Sequence, residues 1–157
     1  MKKLALFILA TIITAMGFSQ TNLLDIVTVK KIKVDVPITS LKVYNNIEVV
    51  LQDDKNSGIE IAGEKNAVES TTVKFIGGEL IITQHEAAYN ENVIVYVPAN
   101  YLGYVYIQGA SKISSYDTLH NEAINVVING EGKSSIKSKG LVTSNTIGDL
   151  PLDSLLN

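Results

Sequence analysis

The run Val97-Pro98-Ala99-Asn100-Tyr101-Leu102-Gly103-Tyr104-Val105-Tyr106-Ile107-Gln108-Gly109-Ala110-Ser111-Lys112-Ile113 contains a triplet that returns at a near-fixed interval. Ile107-Gln108-Gly109 is echoed by Ile128-Asn129-Gly130, 21 residues on, and more loosely by Ile147-Gly148-Asp149, 19 residues after that. A short β-rich unit at this period cannot bury its own apolar face. It must stack on copies of itself, which is the sequence mark of a solenoid. The expected architecture is therefore all-β, with coils of solenoid from about residue 98 to 150.

Upstream of Val97 nearly every apolar segment also reads as strand. Ile32, Val34 and Val36 alternate with Lys31, Lys33 and Asp35, a half-buried period-two pattern. Ile47 to Leu51, Gly58 to Ile61, Thr72 to Ile76, Leu80 to Thr83 and Val93 to Val97 follow at short intervals. Gly77-Gly78 separates two alternating runs and predicts a hairpin, since both turn positions can take positive φ; a tight solenoid corner is the alternative. Asn66 to Thr71 can form a single helical turn. Val97-Pro98 marks the joint between a strand-and-hairpin region (about 25 to 97) and the coils, because proline cannot donate to a ladder.

Met1-Lys2-Lys3 and the uncharged run of 13 residues from Leu4 to Met16 have the layout of a secretory leader. That run is shorter than the ~20 residues a membrane-spanning helix needs. Residues 1–20 are read as a signal peptide, and 21–157 as one exported domain without a transmembrane segment. With no cysteine there is neither a disulfide nor a lipid-modified cysteine. Loss of the leader removes two lysines and no acid, taking the net charge below −3. An acidic chain with no arginine lacks the bidentate forks that read phosphate and guanine, which argues against nucleic acid as a partner.

Three stretches resemble one family. Val43-Tyr44-Asn45-Asn46-Ile47-Glu48-Val49-Val50-Leu51, Gly78-Glu79-Leu80-Ile81-Ile82, and the Val97-Pro98 step followed by Gly109-Ala110-Ser111-Lys112-Ile113 are similar to the GIN domain. That domain is the head domain of adhesins described as auto-transporters and is common in Bacteroidetes. The leader's end, Phe18-Ser19-Gln20, also looks like that phylum's secreted proteins. The resemblance covers roughly residues 35 to 148 and implies a right-handed β-helix-like solenoid with an N-terminal strand and hairpin region. It also implies an exported protein of the periplasm, cell surface or exterior. It brings no catalytic residues. Gln108, where the family has a small residue, and Glu131-Gly132-Lys133 depart from its pattern.

Side chains that could carry chemistry are sparse. His85 and His120 are the only histidines, 35 residues apart, and supply no zinc spacing; solvated strand-end positions explain them. Ser111, Ser114, Ser115, Ser134 and Ser135 lie in no nucleophile motif and read as corner or surface residues. Glu48 with Asp53-Asp54, and Asp149 with Asp153, lack the dense spacing of calcium loops. No metal, cofactor or catalytic residue is assigned.

Aromatic residues give the strongest pointer. Six of the seven tyrosines fall between 89 and 116. Tyr104 and Tyr106, two apart in a strand, share one face while Val105 and Ile107 point to the core. Tyr101, Tyr104, Tyr106 and Tyr116 are the candidate binding residues, set against a packing role beneath the N-terminal hairpins. The expected function is a non-enzymatic, adhesin-like module of the cell envelope or surface, binding a glycan or a surface protein through the outer face of its coils. The alternatives are a carbohydrate-active β-helix enzyme, which would need carboxylates gathered around a lysine, and a ligand-free envelope scaffold or sensor. An uncapped last coil would leave an edge for self-association, unless the tail Leu150 to Asn157 caps it.

Overall fold

The computed structural model describes residues 27–54, 58–85 and 91–147. The leader, Tyr89 and the segment from Gly148 to the expected capping tail lie outside these described residues. In chain order the elements are β1 (Thr28–Ile32), β2 (Ser40–Asn45), β3 (Glu48–Gln52), β4 (Ile59–Gly63), α1 (Lys65–Ser70), β5 (Thr71–Ile76), β6 (Glu79–Gln84), β7 (Val93–Pro98), β8 (Tyr104–Gly109), β9 (Lys112–Ser115), β10 (Ala123–Asn129), β11 (Lys133–Ser135) and β12 (Leu141–Ile147). They form two six-stranded sheets, one ordered β1-β4-β7-β3-β9-β11 and the other β12-β10-β8-β2-β6-β5.

This topology overturns the expected β-helix-like solenoid. In a solenoid each coil touches only its sequence neighbours. Here β2 lies between β6 and β8, and β3 lies between β7 and β9, so strands from the two halves of the chain interleave. Both sheets are also mixed. β1 with β4, β4 with β7, and β5 with β6 pair antiparallel, while β7-β3-β9-β11 and β12-β10-β8-β2-β6 run parallel. The expected division at Val97-Pro98 is therefore not a structural boundary. Pro98 ends β7, where it stands opposite Gln52 of β3.

Alternation explains the burial. On each strand the residues of one face turn inward, and those of both sheets form one core. Leu41, Val43, Leu80, Ile82, Val105, Ile107, Ile124 and Val126 come from the second sheet; Val49, Leu51, Ile59, Ile61, Val95, Val97 and Ile113 come from the first. Each buried side chain of this size contributes roughly 1.5–3 kcal/mol of transfer free energy.

The repeated triplet has a geometric meaning. Asn45 and Gly109 end β2 and β8, and Gly130 directly follows β10, where the chain leaves the second sheet for the first. All three have positive φ, at 80°, 90° and 107°. Asn45 stands opposite Gly109 in the ladder, and a Cβ on Gly130 would meet Gly109 O at 3.2 Å. The corners are stacked, so one layer's turn rests on the next. Ser111 clasps them. Its Oγ donates to Asn45 O (2.9 Å) and accepts from Ile47 N (3.1 Å), so this serine is a buried corner residue and not a surface one.

Register also corrects the third echo. Ile107 pairs with Ile128, as the 21-residue spacing requires, but Ile128 pairs with Thr146 and Asn129 with Ile147. A slip of one residue reverses the face of a side chain. Ile147 accordingly points outward and is 40% exposed.

The two ends of the sandwich differ. At one end α1 packs against β1, β4 and β5 and buries Ala67 and Val68. At the other, β11 and β12 are edge strands that no described residue covers.

Candidate functional site

The outer face of the second sheet is built by the positions that alternation leaves outside. Tyr104 and Tyr106 project from the middle of β8, half-buried, while Val105 and Ile107 between and beyond them are fully buried. Parallel pairing with β2 puts Ser40, Lys42 and Tyr44 beside Tyr104, Tyr106 and Gln108. Pairing with β10 puts Asn125, Val127 and Asn129 on the other side of the same row. The result is a tyrosine-centred platform spanning three neighbouring strands.

Two of its rings, Tyr44 and Tyr106, are held in place. Tyr44 and Tyr106 are neighbours, with ring centroids 6.0 Å apart and planes tilted by 58°. The Tyr106 hydroxyl donates to Gln108 Oε1 (3.4 Å) and accepts from Asn129 Nδ2 (3.3 Å). One strand further, Thr143 Oγ1 donates to Asn125 Oδ1 at 3.2 Å. Lys42 pairs with Glu79 at 3.0 Å, and this hydrogen bond holds its ammonium above the usual lysine range.

The tyrosines chosen from sequence do not form one cluster. Tyr104 and Tyr106 share the platform. Tyr96, which was not among those candidates, projects from β7 on the outer face of the opposite sheet. Tyr101, 59% exposed, lies in the turn before β8 and borders a cleft formed with Val34, Val36, Ile38 and Pro98. Tyr116, 75% exposed, follows the end of β9 in the first sheet. Tyr44, which sequence reasoning did not select, is the platform's third ring. It lies 60 residues before Tyr104 in the chain, and only the β2–β8 pairing brings it there.

Two polar constellations lie elsewhere. His120 is exposed, as expected, and it also has a carboxylate partner. Asp53 Oδ2 accepts from His120 Nδ1 at 2.5 Å, and Asp53 Oδ1 accepts from Asn100 Nδ2 at 2.8 Å. This carboxylate ties the end of β3 to the turn before β8 and to the loop before β10. Next to it, buried Asn121 donates to Ala99 O (2.6 Å) and Leu102 O (2.8 Å). A second cleft, at the start of β3, β7 and β9, is lined by Glu48, Glu91 and Lys112 with Asn46 and Asn92. Glu91 Oε1 accepts from Asn66 Nδ2 at 3.4 Å. Among the described residues, no three His, Asp or Glu side chains gather as metal ligands. No helix among them is long and apolar enough to cross a membrane.

Residues 37–153 match the family described as "Putative auto-transporter adhesin, head GIN domain". Solved structures with a similar fold include a putative adhesin from Bacteroides fragilis, with 16% identity and a TM-score of 0.58 over 78% of this chain and 60% of that one. A putative adhesin from Parabacteroides merdae has 16% identity and a TM-score of 0.54 over 78% and 58%. A putative lipid binding protein from Parabacteroides distasonis has 9% identity and a TM-score of 0.51 over 78% and 60%. The chain thus spans about 60% of the length of the structures it resembles. At these identities the likeness is one of fold. No curated protein matches.

Proposed function

Because the chain belongs to the auto-transporter adhesin head GIN domain family, we propose that it is an exported, non-enzymatic recognition module whose binding surface is the outer face of the second sheet. The observation that carries this reading is the platform of Tyr44, Tyr104 and Tyr106 on adjacent parallel strands, with one ring pinned by Gln108 and Asn129. Tyrosine offers flat amphipathic area at low entropic cost, so aromatic residues exposed together mark contact surfaces more often than charged ones do. A continuous sheet supports the rings, so little ordering free energy is lost on binding. The proposed mature domain begins after residue 20 and acts at the cell surface or exterior.

Adhesion by protein-coated beads tests this. Val127→Arg places a charge beside Tyr106 on the platform, since the two residues are in register. Val50→Arg makes the equivalent change on the outer face of the first sheet, beside Tyr96. Loss of bead binding to host-cell or mucin surfaces in Val127→Arg alone supports the reading. Equal loss in both, or loss only in Val50→Arg, contradicts it.

A second reading has one observation in its favour. The cleft holding Glu48, Glu91 and Lys112 places two carboxylates and a lysine together, the minimum for acid–base work on a glycan. If it is an active site, product release from polysaccharides disappears in Glu91→Gln; a wild-type protein that releases no product removes this reading.

A further inference from the structure

We propose that the ligand of the tyrosine platform is a neutral glycan, bound by ring stacking and by amide and hydroxyl groups and not by charge. The proposal rests on the platform being the binding face. Its argument is the chemistry of what surrounds the rings.

The side chains flanking Tyr44, Tyr104 and Tyr106 on β8 and β10 are Gln108, Asn125, Val127 and Asn129. The amides among them both donate and accept hydrogen bonds, as sugar hydroxyls do, whereas carboxylates only accept and ammonium groups only donate. The charged groups beside the rings are Lys42 and Glu79, already joined to each other at 3.0 Å. To bind an anion, Lys42 would have to give up that partner. Where the platform meets the stacked corners, a shallow cleft lined by Gln108, Ala110, Asn129 and Glu131 places a carboxylate at the rim. That carboxylate and the chain's net charge of −3 both oppose an acidic sugar.

The opposite face provides a contrast within the same molecule. There Glu48, Lys112 and Lys133 occupy outward positions on the adjacent strands β3, β9 and β11, and Glu60 lies on β4 beyond β7, whose outward Tyr96 stands alone among these charges. On the platform the central strands carry three rings and three amides, and their one charged side chain, Lys42, is paired with Glu79. The tilted Tyr44–Tyr106 pair offers two ring faces in different planes, which suits the successive rings of an oligosaccharide.

The test titrates the mature protein with neutral gluco-, manno- and galacto-oligosaccharides and with an oligogalacturonate of matched length, reading tyrosine ring signals by NMR. The proposal expects at least one neutral series to shift the ring signals of Tyr44, Tyr104 and Tyr106. It also expects affinity that is unchanged between about 0.1 M and about 1 M salt, and a loss of about tenfold or more in Tyr106→Ala. Tyr106→Phe keeps the packing and the ring but removes the hydroxyl bridge, so a smaller loss there guards against mistaking misfolding for lost contact. Preference for the oligogalacturonate, or salt-sensitive binding, overturns the neutral-glycan assignment. If no sugar shifts the rings while Val127→Arg still abolishes adhesion, the face stands and its ligand is a protein. If Val127→Arg leaves adhesion intact, the platform itself falls and this proposal with it.

Discussion

At the end of the sandwich covered by α1, strands pair antiparallel and their order can be followed locally: β5 turns into β6 through Gly77-Gly78, and the helix closes over Ala67 and Val68. At the other end β8, β10 and β12 run parallel, each reached only after the chain has crossed to the other sheet and returned. The antiparallel end is fixed by short-range turn chemistry. The parallel end is fixed by stacked corners, where Asn45, Gly109 and Gly130 must all hold positive φ. The tyrosine platform lies between the two, on β2 and β8, where both neighbours of each strand are in place. It is therefore positioned by the whole fold and not by one hairpin.

The largest expected effect comes from the shared core. Ile107→Ala should cost about 2–5 kcal/mol of unfolding free energy, measured by urea denaturation, because Ile107 is fully buried. Val142→Ala, on the half-buried inner position of β12, should cost about 1 kcal/mol or less. Equal losses would break the distinction between centre and open end.

Corner substitutions come next. Gly109→Ala forces a Cβ to within 2.8 Å of Asn45 O at φ 90° and should cost about 3 kcal/mol. Gly77→Ala also sits at positive φ but meets nothing within 4 Å, so about 1 kcal/mol is expected. A hairpin glycine that mattered more than the stacked one would contradict the account of how the parallel end is held.

Asp53→Ala removes the acceptor shared by His120 and Asn100 and should cost about 1–3 kcal/mol, seen as a lower urea midpoint. The smallest effect concerns Lys42. Its ammonium is held above the usual range by Glu79, so the pair's contribution is full below the ordinary lysine value of about 10.4 and is lost as pH rises through the raised folded value. Lys42→Met should lower the midpoint slightly at neutral pH, where the pair's contribution is present, and the two midpoint-versus-pH curves should converge on the alkaline limb.

These contrasts also show what the sequence could carry. The Gly77-Gly78 hairpin and the inward Val105 and Ile107 were legible because turn residues and period-two alternation act over a few positions. Sheet order was not. The β2–β8 pairing joins residues 64 apart, such as Tyr44 and Gln108, and leaves no periodic trace. The triplet at 107–109 therefore suggested coils stacked in sequence order, whereas its nearest structural counterpart upstream is Val43-Tyr44-Asn45. For the same reason the sequence could not show that Tyr44 lies beside Tyr106, or that Tyr101 and Tyr116, close to Tyr104 and Tyr106 in sequence, lie apart from them in the fold. His120 is exposed as its surroundings in the sequence imply, but its partner Asp53, 67 residues away, is not legible there.

Native-state hydrogen exchange resolved by residue tests most directly whether the platform is a preorganised surface at the rigid centre of the fold. Amides of β2 and β8 should exchange only through global unfolding, those of β5 and β6 nearly as slowly, and those of β11 and β12 much faster through local opening. If β8 exchanges as fast as β12, the rings of Tyr104 and Tyr106 stand on a yielding strand, and the account of a prebuilt recognition face is contradicted.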